Sequence, residues 1–332
     1  MQNLNRRTLL QCAIALIGVA GAAYSGVLRA EDNYPSRPIT IVVPHPPGGS
    51  VDGVARLFAD KLKDQLNETV IIENRAGASG MIGAAHVARA QPDGYTLYIN
   101  ASIHSINPLL YSKTIKFDAV KDFTAVSMLA QGALIFSVNP QVPAKTVSEF
   151  IKLLKASPTK YNFATTGFGS ASHLSIAQFR HENGLTDIPI VLYKGASPAL
   201  QDLVGGQVSA IMDPMLSSLP LVQGGKLRAL AVTGAQRSPQ LPEVPTMLES
   251  GIKDFEFYSW YGLWAPANLP EPVRAKLDAA TAKIVADPAF KSRMEQYGFE
   301  SIYKNSADFS KFIDAEMVRY AATIKEAEIS VN

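Results

Sequence analysis

The run Ile39-Thr40-Ile41-Val42-Val43 is apolar or β-branched throughout, stops at Pro44, and leads into Pro46-Pro47-Gly48-Gly49-Ser50. Without alternation, both faces of such a strand must be covered, as in a parallel sheet packed between helices. The glycine turn then opens an amphipathic helix from about Asp52 to Leu66. Working outward, Val70-Ile71-Ile72-Glu73 is a second strand, Gly77-Ala78-Ser79-Gly80 a second turn before a helix to about Ala90, and Thr96-Leu97-Tyr98-Ile99-Asn100 a third strand. This alternation predicts crossover connections and a parallel sheet.

The same grammar restarts further on. Leu134 to Val138 is apolar, and Thr146-Val147-Ser148-Glu149 is a capping box opening a helix to Ala156. Tyr161 to Thr165 reads as a strand running into Gly167-Phe168-Gly169-Ser170 and a helix through Phe179. Ile190 to Tyr193 leads to Ser197-Pro198, a cap and the residue suited to a first helical turn. Val208–Met212 and Leu227–Val232 complete a second α/β unit.

The tail from Glu271 is mostly helical and is expected to pack back on the first unit. The chain then crosses between units twice, near Ala130–Gly132 and near Gly251–Tyr258. The predicted lobes are residues 31–131 plus 253–332, and 132–252, with a cleft between them and hinge closure over a ligand. Alternating aromatics from Phe255 to Trp264 at the second crossing predict a strand with one buried face.

Length and composition agree with two globular lobes. A chain of 332 residues is long for one core, and 47% apolar with 18% charged residues is too hydrophobic for disorder. It lacks the repeated apolar runs of about 20 residues that a polytopic membrane protein needs.

The first thirty residues read as an export signal, with Arg6-Arg7, an apolar stretch from Leu9 to Ala23, and Leu28-Arg29-Ala30 before Glu31-Asp32. Twin-arginine and Sec routes both fit. Cleavage there leaves 28 basic against 29 acidic side chains, a balance that argues against nucleic acid. The single cysteine, Cys12, lies inside the signal, so the mature chain has no thiol for a disulfide, a nucleophile or a metal. A periplasmic location is expected.

Four turns, at 46–50, 77–80, 165–170 and 194–197, each follow a strand and open a helix. Ligands of open α/β sheets bind beyond the carboxyl ends of the strands, where helix-start N–H groups attract anions. Any one turn taken alone reads better as a tight turn with an N-cap; the set of four points to an anion site, most simply for a carboxylate. His45, in the first of these loops, is expected to offer a donor.

Other chemistries find no motif. No Gly-x-x-x-x-Gly-Lys phosphate loop exists, and Gly167-Phe168-Gly169-Ser170-Ala171-Ser172 ends in serine where a dinucleotide fingerprint wants glycine. Gly195-Ala196-Ser197-Pro198-Ala199 misses the nucleophile elbow, because proline after the serine suits a cap. His45, His86, His104, His173 and His181 lack metal spacing. No enzyme, cofactor or metal is expected.

A set of ordered motifs carries a family resemblance. Tyr34-Pro35-Ser36-Arg37-Pro38, Val43-Pro44-His45-Pro46-Pro47-Gly48-Gly49-Ser50-Val51-Asp52, Glu73-Asn74-Arg75-Ala76-Gly77-Ala78-Ser79-Gly80 and Pro92-Asp93-Gly94-Tyr95 come first. Asn107-Pro108-Leu109-Leu110-Tyr111, Gly169-Ser170-Ala171-Ser172-His173, Tyr193-Lys194-Gly195, Asp202-Leu203-Val204-Gly205-Gly206 and Val244-Pro245-Thr246 follow. Together they resemble the solute receptors of tripartite tricarboxylate transporters, the Bug or TctC-like proteins.

The resemblance implies a type II periplasmic-binding-protein fold and a monomer that holds a small organic carboxylate and hands it to a two-part membrane permease. It also implies the contacts: Pro47, Gly48, Gly49, Ser50 and Asp52 from the first loop, and Ala78, Ser79 and Gly80 from the second. Thr165, Gly169, Ser170, Ser172 and His173 come from the facing lobe, then Tyr193, Lys194 and Gly195, with Asp213 bordering the cleft.

His45 stands where the family more often has phenylalanine or tyrosine, and Phe168 adds a ring to a loop of smaller residues. That pair suggests an aromatic dicarboxylate such as terephthalate. Sensing through a membrane kinase would use the same site, and an enzyme on this scaffold would need a nucleophile–base pair or metal trio that the sequence does not display.

Overall fold

β1 (Ile39–Val43) lies between β2 (Val70–Asn74) and β3 (Thr96–Ala101), all three parallel. Its unbroken apolar run is explained by cover on both sides. Ile39, Ile41 and Val43 pack with Val54 and Phe58 of α1 (Ser50–Leu66), and Val42 packs with Ala84 and Val87 of α2 (Met81–Val87). The computed structural model describes Tyr34 to Ser330; the export-signal reading of 1–30, and Cys12, lie outside the described residues.

The second unit repeats the parallel trio, with β5 (Phe163–Thr165) between β6 (Ile190–Leu192) and β7 (Ala210–Pro214). Antiparallel strands join the trios. β9 (Tyr258–Pro266) pairs β3, and the 16-residue β4 (Phe123–Val138) pairs β9 along its first part. Its last part pairs β7 and β8 (Arg228–Val232). The result is an α/β fold with mixed sheets.

The first crossing is therefore one continuous strand: Ala133 pairs Tyr258 on one side and Leu134 pairs Pro214 on the other. The second falls at Phe257, whose N–H donates to Thr233 before Tyr258 enters the first sheet. Alternate residues of a strand point to opposite faces, and here both faces are covered. Trp260 and Trp264 pack with Phe309, whereas Tyr261 and Leu263 join the cluster around β1. The single buried face expected for this aromatic run is thus corrected to two.

After α8 (Glu271–Ala286) and α9 (Pro288–Gln296), β10 (Glu300–Lys304) pairs β4. This strand inside a tail read as mostly helical is short and half-exposed, so no apolar pattern marks it. The closing helix α10 (Ser306–Glu326) spans both units: Phe309 and Ile313 pack beneath the first sheet, Tyr320 in the core of the second. Among the described residues no helix is long and apolar enough to cross a membrane.

Candidate ligand site

A cavity of ≈ 180 Å³ lies between the two units. Five helices begin at its wall, because each follows a strand whose carboxyl end points there. Gly49 precedes α1, Ser102 precedes α3 (Ile103–Leu110), and Ser170 precedes α5 (Ala171–Glu182). Gly195 precedes α6 (Ala196–Val204), and Pro214 precedes α7 (Met215–Gln223). First-turn N–H groups have no acceptor within their own helix, so these starts concentrate partial positive charge on one small volume. The walls approach closely: a Cβ on Gly195 would stand 3.8 Å from Pro46 Cγ of the opposite unit.

Each start is built locally. Asp52 pins the first loop, accepting the Gly48 N–H at 3.0 Å, Arg56 Nε at 2.9 Å and Asn74 Nδ2 at 2.9 Å. Burial opposes ionisation of Asp52, but its bonds to Arg56, Gly48 and Asn74 outweigh it and hold the carboxyl below its usual range. Ser170 caps α5 by accepting the His173 N–H at 3.2 Å. Its own hydroxyl donates to Gly167 O at 2.7 Å.

Of the residues expected in the site, His45, Pro47, Gly49, Ser50, Ser170, Ser172, Lys194, Gly195 and Asp213 line the cavity. The others sit behind it. Gly48 and Asp52 form the loop brace just described. Thr165 is buried under Ser170 at 3.4 Å between hydroxyls, and it is Thr166 that reaches the wall. Tyr193 donates its hydroxyl to Asp202 at 2.6 Å. Gly169 donates its N–H to His173 Nδ1 at 3.3 Å, and burial, with Arg180 adding, pushes that imidazole down to about 4.

The second glycine turn is a buttress. Ala78, Ser79 and Gly80 all adopt positive φ, and a Cβ on Gly80 would meet Pro44 at 3.4 Å and His45 at 3.7 Å. Asn107 Nδ2 donates to Ser79 O at 3.0 Å, tying the turn to α3.

Two expectations change in physical character. Asn100 Oδ1 accepts the Ala101 N–H at 2.8 Å, which fixes the amide, and the same oxygen lies 3.0 Å from His45 Nε2. His45 Nε2 therefore carries the proton and spends it on Asn100. Burial lowers the imidazole pKa against that bond, so the ring is neutral and its remaining nitrogen is an acceptor, not the expected donor. Phe168 does not line the cavity; it packs at 4.5 Å on the His173 ring and edge-on to Tyr111 at 5.9 Å.

Sequence reading missed Ser102, Ile103, Pro214 and Ser259 in the wall. Ser102, a small polar residue at the end of β3, carried the cap signal. Asp213 is wholly buried: its Oδ2 accepts Ser217 at 2.6 Å and Ser218 at 2.7 Å. Burial pushes its carboxyl up to about 6 against those two bonds. Among the described residues no cluster of three His, Cys, Asp or Glu is placed to hold a metal.

Two α/β units joined by through-running strands over a shared cavity define a bilobal periplasmic-binding-protein fold. The model of the tripartite tricarboxylate transporter family receptor matches residues 54–329, and the chain belongs to that family. It is similar to the periplasmic binding protein BugD, at 35% identity and TM-score 0.85 over 90% of this chain and 99% of that one. Rpa4515 of R. palustris, solved with adipate, is 33% identical, with TM-score 0.87 over 90% of this chain and 99% of that one. MatC from Rhodopseudomonas palustris, solved with bound malate, is 32% identical, with TM-score 0.82 over 88% and 100%.

Proposed function

We propose that this chain is an exported periplasmic receptor, a monomer without enzymatic activity, that captures a small organic carboxylate. It would deliver that solute to the membrane permease subunits of a tripartite tricarboxylate transporter. The observation that carries this reading is the convergence of five helix starts, drawn from both units, on one small cavity. Neither half surrounds an anion alone, so a ligand that touches both favours the closed arrangement. Adipate and malate in the two R. palustris proteins are carboxylates, which supports the class.

In this reading the units act as lobes, 31–131 plus 253–332 against 132–252. Ser50, Ser170, Ser172, Lys194, Gly49 and Gly195 contact the ligand, while Asp52, Ala78, Ser79, Gly80 and Thr165 hold their loops. Lys194 is exposed and forms no ion pair among the described residues, which leaves it available for an anion. An aromatic diacid such as terephthalate has less support, since Phe168 packs against Tyr111 and His173. A thermal-shift panel of mono-, di- and tricarboxylates tests the assignment: at least one should raise the melting temperature, and no shift with any would contradict it.

A further inference from the structure

The motif Asn107-Pro108-Leu109-Leu110-Tyr111 closes α3 outside the cavity wall. It meets the loop that precedes α5 in the other α/β unit. Phe168 stands edge-on to Tyr111, with ring centroids 5.9 Å apart. Beside it, a Cβ on Gly169 would lie 2.8 Å from Leu110 Cδ1, 3.6 Å from Ile106 Cγ2 and 3.8 Å from Asn107 Oδ1. Gly169 has φ +76°, so glycine suits both the turn and the close approach.

Each side of this contact is built within its own unit. The Phe168 ring is backed by the His173 ring at 4.5 Å, and the Ser170 hydroxyl closes the loop on Gly167 O at 2.7 Å. Opposite, Asn107 Nδ2 holds Ser79 O at 3.0 Å and the Tyr111 hydroxyl lies 3.4 Å from Ser79 Oγ. Surfaces formed beforehand dock with little further ordering. The contact also carries a cost, because Asn107 Oδ1 and Ser105 Oγ of the same helix are buried without a partner. Apolar contacts opposed by unpaired polar atoms make a seat that can be left as well as taken.

We propose that Phe168 is a positioning residue: seated on Tyr111 and Leu110, it latches the start of α5 over the cavity and sets how long a captured solute stays. It touches no solute itself and acts through Ser170, which both caps α5 and lines the cavity. The proposal rests on the receptor reading above for the solute and adds to it the contact that governs release.

Hydrogen exchange on the mature protein without any solute tests the contact. In Phe168→Ala, the amides of Leu109, Leu110 and Tyr111, across the junction, should exchange about three- to ten-fold faster, as expected for loss of an aromatic pair. Phe168→Leu should fall between this variant and the native chain. Acceleration confined to residues 167–175, with those three amides unmoved, would mean that Phe168 packs only within its own unit and would overturn the proposal.

Stopped-flow measurement with whichever of succinate, glutarate and citrate binds tests the role. Phe168→Ala and Tyr111→Ala, each checked for an intact melting transition, should release the acid about three- to ten-fold faster, with association changed by less than about two-fold. The double variant should release it little faster than either single one, since the two rings share one contact. Unchanged release, or effects that simply multiply in the double variant, would overturn the latch. Absence of binding by any of the three acids would count against the carboxylate reading, while the exchange measurement still decides the contact.

Discussion

Gly53 of α1 lies so close to Leu216 of α7 that a Cβ on it would stand 2.7 Å from Leu216 Cδ1. The two helices belong to different α/β units and each begins at the cavity wall, so in the proposed reading this contact sits where closure would bring the halves together. Glycine within a helix costs about 1 kcal/mol relative to alanine, and here it makes room for Leu216.

Alanine at Gly53 needs only a shift of the flexible Leu216 tip, whereas phenylalanine wedges the lobes apart. Gly53→Phe should weaken ligand binding about ten-fold, roughly 1.4 kcal/mol, with little loss of melting temperature. Leu216→Ala in the same chain should restore part of the affinity. Calorimetry on the two variants checks this; equal affinity in Gly53→Phe and the native chain would show that the contact does not limit closure.

Ser102→Ala and Ser172→Ala should each cost binding and spare the fold. Each removes a buried hydroxyl that has no partner in the protein, so stability should hold or rise slightly. Affinity should fall by about 1 kcal/mol per hydroxyl that the ligand engages. Melting curves beside titrations distinguish the outcomes, and a fall in melting temperature with unchanged affinity would assign the serines to packing.

Asp52 and Arg56 form an ion pair of unequal partners. The Arg56 side chain is 52% exposed and that of Asp52 5% exposed, so removing the arginine should cost no more than about 0.5–1 kcal/mol. Asp52→Ala also strips the acceptor from the Gly48 N–H and from Asn74, and should cost about 1–3 kcal/mol and loosen the first loop. Urea denaturation ranks the two; equal costs would contradict the brace.

Stability at neutral pH should rise in Asp213→Asn. The folded carboxyl is raised to about 6, against about 3.9 in an unfolded chain, so between these values the fold holds a proton that the unfolded chain has released. The native protein therefore gains from this group as pH falls through that window and is penalised above it. The variant should be more stable by about 1–3 kcal/mol at pH 8, with the difference fading towards pH 4.

His104 and His173 act in the opposite sense. Burial pushes both down to about 4, opposed at His104 by its bond to Ala119 O and reinforced at His173 by Arg180, so their contribution is lost as pH falls from about 6.5 to 4. Comparing variant with native protein at each pH cancels this shared effect. A variant no more stable at pH 8 would contradict the burial penalty.

Much of this arrangement was legible in the chain. The unbroken run of β1 announced a strand covered on both faces, and the glycine-rich starts of α1, α5 and α6 do meet at one cavity. What stayed hidden depends on where a turn ends up. Gly77-Ala78-Ser79-Gly80 looks like its neighbours, yet its left-handed residues fold it behind His45 and Pro44. Ser102 and Pro214 open helices at the wall without any glycine to mark them. The proton of His45 is decided by Asn100, a partner that is remote in sequence and met only in the sheet. β10 pairs with β4 through backbone groups, so its side chains carry little pattern.

A second, larger cavity of ≈ 870 Å³ lies elsewhere, lined by Gln131, Ala133, Gln236, Tyr258 and Phe299 among others. Amide resonances of the mature protein, followed while a carboxylate that raises its melting temperature is added, would tell the two apart. Capture by converging helix starts requires the largest shifts at Ser50, Val51, Ala171, Ser172, Ala196 and Ser197. Shifts confined to residues around Gln236 and Tyr258, with those six unmoved, would contradict it.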